Sequence, residues 1–135
     1  MMRHAAITLL SLTVAAPLVA RESDKRPKPH LDLRLASSAG FAPARITLTA
    51  ELVGGDDTEE LYCTAVEWDW GDGERSSRES DCPPFEPGTA VERRFSARHE
   101  YSAPGAYQIR LTMSRAGTRV AGAAATFTVH PGLGD

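Results

Sequence analysis

From Leu31 onward the chain alternates apolar and polar residues. Leu31, Leu33 and Leu35 enclose Asp32 and Arg34. After a Gly40-Phe41-Ala42-Pro43 break, Ile46, Leu48, Ala50 and Leu52 alternate with Thr47, Thr49 and Glu51. Tyr62, Thr64, Val66, Trp68 and Trp70 share one face of a third run, and Val91, Phe95, Ala97 and Tyr101 share a face of a fourth. Tyr107, Ile109, Leu111 and Met113 alternate with Gln108, Arg110 and Thr112, and Ala123, Ala125, Phe127 and Val129 follow the same rule. Period two predicts strands with one face against a core and the other in water. No segment of this region carries a 3.6-residue apolar stripe. Gly54-Gly55-Asp56-Asp57, Gly71-Asp72-Gly73, Pro83-Pro84, Pro87-Gly88, Pro104-Gly105 and Ala116-Gly117 punctuate the runs with turn residues. Val120 breaks the parity of the last run, and Gly122 beside it suggests a bulge. The pattern predicts an all-β fold, an antiparallel sandwich of six or seven short strands.

The first residues follow another logic. Arg3 precedes an apolar stretch with Ile7, Leu9, Leu10, Leu12 and Val14, and charge returns only at Arg21. The uncharged run from Ala5 to Ala20 is shorter than the ~20 residues of a spanning helix. This layout predicts a signal peptide over 1–20, removed on export, and a mature chain without membrane attachment. Residues 21–30, with Pro27 and Pro29, read as a flexible leader, and 31–132 as the sandwich domain. The predicted location is secreted or periplasmic, where disulfides persist.

Composition narrows the function. The chain has 135 residues and a formal net charge of −3, which argues against a basic surface tracking nucleic-acid phosphates. It lacks a G-x-S-x-G elbow and a glycine-rich phosphate loop leading into a helix. His30 and His130 lie near the ends of the predicted domain. No catalytic, cofactor-binding or metal residue is assigned, and the chain is not expected to be an enzyme. Asp56, Asp57, Glu59 and Glu60 form an acidic loop without the D-x-D-x-D-G spacing. It reads first as a solvated charge run, with calcium shared with Asp69 and Asp72 as the lesser alternative.

The stretch Trp68-Asp69-Trp70-Gly71-Asp72-Gly73 resembles the W-D-F-G-D-G signature of PKD domains, the immunoglobulin-like family. His99-Glu100-Tyr101 is similar to its H-x-Y, and Tyr101 to Tyr107, with Pro104 and Gly105, is similar to Y-x-x-P-G-x-Y. The resemblance spans about Leu31 to Val129, implies a seven-stranded antiparallel immunoglobulin-like sandwich, and departs from the family at the long, proline-rich segment Arg78 to Ala90. Each motif residue has a structural reading. Trp68 is the expected core plug, and Trp70 the cover of the sandwich edge. Gly71 and Gly73 permit positive φ, and Asp72 can accept from neighbouring backbone N–H groups. His99 reads as a packed histidine, and the Tyr107 hydroxyl can reach back to upstream backbone.

Cys63 and Cys82 are the two cysteines of the chain. A hairpin turned at Gly71-Asp72-Gly73 brings them together, so a stabilising disulfide is expected. The resemblance implies a non-catalytic module that contacts another extracellular or periplasmic protein. The alternative is a carbohydrate-binding accessory module, which needs exposed rings; Phe85 and Tyr62 are its candidates.

Overall fold

The computed structural model describes residues 14, 15 and 27–134. The signal peptide read over 1–20, apart from residues 14 and 15, and the leader up to residue 26 lie outside the described residues. The strands are β1 (His30–Leu35), β2 (Ala39–Phe41), β3 (Ala44–Val53), β4 (Ala65–Asp69), β5 (Arg75–Arg78), β6 (Arg94–Tyr101), β7 (Gly105–Arg115) and β8 (Thr118–His130). Among the described residues a single 3₁₀ turn, Glu59–Leu61, interrupts them. One sheet has the order β1-β3-β6 and the other β2-β8-β7-β4-β5.

The all-β, two-sheet architecture follows from the alternation. The strand count does not. Eight strands form among the described residues, where seven were expected, and one pairing is parallel. Ala39, Gly40 and Phe41 pair in parallel with Thr128, Val129 and His130. The cause is local: β2 is three residues of backbone pairing without an apolar alternation to announce it. β5, Arg-Ser-Ser-Arg, is equally silent, because it is an edge strand with mostly exposed side chains. The longer strands behave as their patterns require. β3 alternates buried side chains with exposed or half-buried ones from Ala44 to Leu52. Leu48, Ala50, Trp70, Ile109 and Met113 are wholly enclosed, and each large apolar side chain buried this fully contributes roughly 1.5–3 kcal/mol. In the β7–β8 hairpin, Met113 pairs with Ala121 but Ser114 pairs with Arg119. Val120 is the residue left over, so the bulge falls where the parity breaks.

His30 already belongs to β1, and the Pro27 carbonyl accepts a hydrogen bond from Gly55 N–H at 3.4 Å. Gly54 and Gly55 continue from β3 into the acidic loop. There Arg93 stands in for a backbone ladder. Its guanidinium donates to the carbonyls of Gly54 at 2.9 Å and Gly55 at 3.1 Å, and pairs with Asp57 at 3.0 Å.

Candidate functional site

The motif residues meet where β4 runs out into its turn and faces β6. Trp68 and Trp70 lie two apart, so a strand sends both rings inward. They stack at 5.8 Å between centroids. Trp70 then stacks on His99 at 4.6 Å with the planes 5° apart, and His99 meets Tyr101 edge-on at 4.7 Å. Tyr101 continues the row to Tyr107 at 4.1 Å and Phe127 at 5.9 Å. Such aromatic contacts add about 0.5–1.5 kcal/mol each beyond area burial. Trp70 is no edge cover: it is 0% exposed, against 3% for Trp68. The partners from β6 close over it, which a reading of β4 alone does not see.

The turn is built from its own polar atoms. Gly71 N–H donates to Asp69 Oδ1 at 3.1 Å, and Glu74 N–H donates to Asp72 Oδ1 at 3.0 Å. Trp70 N–H donates to the Glu74 carbonyl at 3.1 Å. Gly71 has φ of +82°, and a Cβ there would stand 2.5 Å from the Gln108 carbonyl oxygen. Both demands exclude every other residue. The Tyr101 hydroxyl donates to the Trp70 carbonyl at 2.6 Å, and Trp70 Nε1 donates to Ser76 Oγ at 2.9 Å. The Tyr107 hydroxyl donates to the Ala103 carbonyl at 2.6 Å, across the turn that carries Pro104 and Gly105. Burial lifts the Tyr101 phenol well above its ordinary range, with the Asp72 charge adding to it, so it stays a donor at any working pH.

The other carboxylate oxygen of Asp72 lies 2.7 Å from His99 Nε2. An ionised carboxylate only accepts, so Nε2 carries the proton. Burial pushes the Asp72 carboxyl up, but the His99 hydrogen bond and the Glu74 N–H more than offset it and hold it below its usual value. The remaining ring nitrogen, Nδ1, faces Glu74 Oε2 at 3.7 Å.

A second cluster forms at the opposite end of β4. Cys63 and Cys82 are joined as a disulfide with Cα atoms 6.0 Å apart. The Tyr62 hydroxyl donates to the Pro83 carbonyl at 2.7 Å, and Tyr62 packs on Phe85 at 5.3 Å. Arg115 lies over the Tyr62 ring and donates to the Tyr62 carbonyl. Tyr62 is buried and Phe85 is half-buried against the core. Among the described residues, the exposed large aromatic ring is Phe41 of β2, 56% accessible and beside His130 of β8. Sequence reading passed over it; its one signal was an aromatic inside a Gly/Pro break.

The acidic residues do not converge on one ion. Asp57 pairs with Arg93 beside the far end of β3, whereas Asp69 pairs with Arg75 at 3.4 Å and Asp72 with His99 near the β3 start. The stretch of β3 from Ile46, opposite His99, to Val53 separates the two groups, about 24 Å.

No protein-family model matches the chain, and no curated protein matches it. Among solved structures it is similar to the PKD domain of an M14-like peptidase from Thermoplasmatales archaeon SCGC AB-540-F20, at 14% identity and a TM-score of 0.52. The match covers 77% of this chain and 97% of that one. The motif resemblance and the strand arrangement agree, and the chain has the fold of a PKD domain.

Proposed function

We propose that this chain is a non-catalytic PKD-like module, exported to the periplasm or the extracellular space, that contacts another protein. One observation carries the reading. Most polar groups of the motif are consumed by the fold: Tyr101, Trp70, Asp69 and the Asp72 Oδ1 oxygen bond to backbone or to neighbouring strands. They leave no nucleophile beside a base, which is the arrangement that covalent catalysis needs. The similar peptidase domain is likewise a PKD module within a named enzyme, and a disulfide suits an oxidising compartment. The contact surface in this reading is the corner at Phe41, an exposed ring on the open edge of the five-stranded sheet. Sheet edges and exposed apolar residues are common sites of protein contact. The carbohydrate reading has weaker support, because Tyr62 is buried and Phe85 is half-buried against the core.

The test combines location and contact. The protein is expressed in its producing cell with a photo-crosslinking residue at position 41, and the cell is fractionated. The expected result is a mature chain beginning near Arg21 outside the cytoplasm, joined to one discrete protein. Retention of Met1 in the cytoplasm overturns the export half. Adducts no more specific than those from an exposed position such as Thr47 overturn the contact half.

A further inference from the structure

We propose that His99 and Glu74, with Asp72 orienting the imidazole, form a binding site for a borderline transition-metal dication of the Zn²⁺ kind. The three side chains come from the motif turn and from β6, and one ligand atom from each lies within 4.8 Å of the others. The inference starts from an unused lone pair. His99 Nε2 is committed to Asp72 at 2.7 Å, which leaves Nδ1 unprotonated in the neutral ring. No hydrogen-bond donor reaches Nδ1 among the described residues; its polar neighbour is Glu74 Oε2 at 3.7 Å. A lone pair facing a carboxylate is an unfavourable contact unless a proton or a metal cation sits between them.

The ring is also fixed in place. Its side chain is 7% exposed, clamped flat on Trp70 and edge-on to Tyr101. A preset imidazole loses little freedom on binding. Zn²⁺ binds imidazole nitrogen and carboxylate oxygen at about 2.0–2.2 Å, so two ligands of a tetrahedral ion stand about 3.4 Å apart. The observed 3.7 Å needs only a small movement of Glu74, whose side chain is 74% exposed. Asp72 then holds the position of the carboxylate that commonly orients a metal-bound histidine through its other nitrogen. The nearest guanidinium in sequence, Arg75, does not compete for Glu74, because it pairs with Glu67 at 3.3 Å and Asp69 at 3.4 Å. Imidazole with carboxylate favours zinc or copper over magnesium or calcium, which prefer all-oxygen sites. Two protein ligands leave positions for water or for a side chain of a bound partner.

The test titrates ZnCl₂ into the purified, tag-free protein near neutral pH, reading long-range ¹H–¹⁵N correlations of its histidines. The expected result is movement of His99 Nδ1 at sub-millimolar Zn²⁺, with Nε2 still protonated. Glu74→Gln should weaken binding tenfold or more and leave the melting temperature unchanged, since that carboxylate supports nothing else. Asp72→Asn should weaken it by 10–100-fold, as loss of an orienting partner does. The proposal is overturned if His99 Nδ1 stays put at millimolar Zn²⁺ in the folded protein. It is equally overturned if Glu74→Gln binds as tightly as the wild type.

Discussion

The turn at Gly71–Gly73 and the segment from Glu79 to Ala90 leave opposite ends of β5, and they are held by different means. The turn closes on itself with backbone and carboxylate hydrogen bonds inside six residues. The long segment contains Pro83, Pro84 and Pro87, which donate no backbone hydrogen bond. Its one internal backbone bond among the described residues joins Thr89 N–H to the Glu86 carbonyl. Side chains from elsewhere do the rest: Cys63 bonds Cys82, Tyr62 caps the Pro83 carbonyl, and Phe85 lies on Tyr62. A compact motif can specify the first region because its partners are neighbours in sequence. The second depends on contacts about 20 residues apart, as with the cysteines, whose separation is 19.

The comparison breaks first at the aromatic row. Trp70→Ala should cost about 3–5 kcal/mol, because it empties the space between Trp68 and His99 and strands Ser76. Chemical denaturation would measure it, and a loss below 1 kcal/mol would show that β6 rather than the motif holds this end. Reduction of the disulfide comes next. A loop of this length contributes about 3 kcal/mol in the chain-entropy model. The melting temperature should fall, and the faster amide exchange should concentrate between Glu79 and Ala90. Faster exchange at Gly71–Gly73 instead would mean the two regions are not independent.

A subtler cut is Tyr101→Phe, which removes one hydroxyl and leaves the Trp70 carbonyl without its donor. About 1–2 kcal/mol is expected from urea titration, with the ring stack intact by near-ultraviolet dichroism. The smallest effect concerns acid. Asp72 has a lower pKa in the folded protein than its ordinary value. Its contribution is therefore present above the unfolded carboxylate pKa of about 4 and lost as pH falls through the folded value. Asp72→Asn should flatten the acid limb of the stability–pH curve, and an unchanged limb would remove Asp72 from that account.

Much of this was legible in residues taken one strand at a time. The parity of Ile46 to Leu52 and of Tyr107 to Met113 marks which side chains enter the core, and Val120 marks its own bulge. What stayed hidden was non-local. β2 and β5 carry no apolar alternation, so no side-chain pattern signals them. Trp70 read as inward from its spacing, but its depth comes from rings on another strand. The role of Arg93 has no signal in sequence, because nothing there says which carbonyls will surround its guanidinium. His99 and Asp72 stand 27 positions apart, and their meeting depends on the sandwich being formed.

The paths into and out of the sandwich carry a mechanical consequence. The chain enters β1 where His30 pairs with Val53, at the last residue of β3. It leaves β8 where His130 pairs with Phe41, just before β3 begins. Tension applied between Pro29 and Pro131 therefore runs along the strand axes. It slides β1 against β3 and β8 against β7, so the hydrogen bonds perpendicular to those strands strain together rather than in succession. Pulled in this direction the domain resists as a lap joint does, and the β7–β8 ladder, paired from Gly105 to Arg115, is its longest seam.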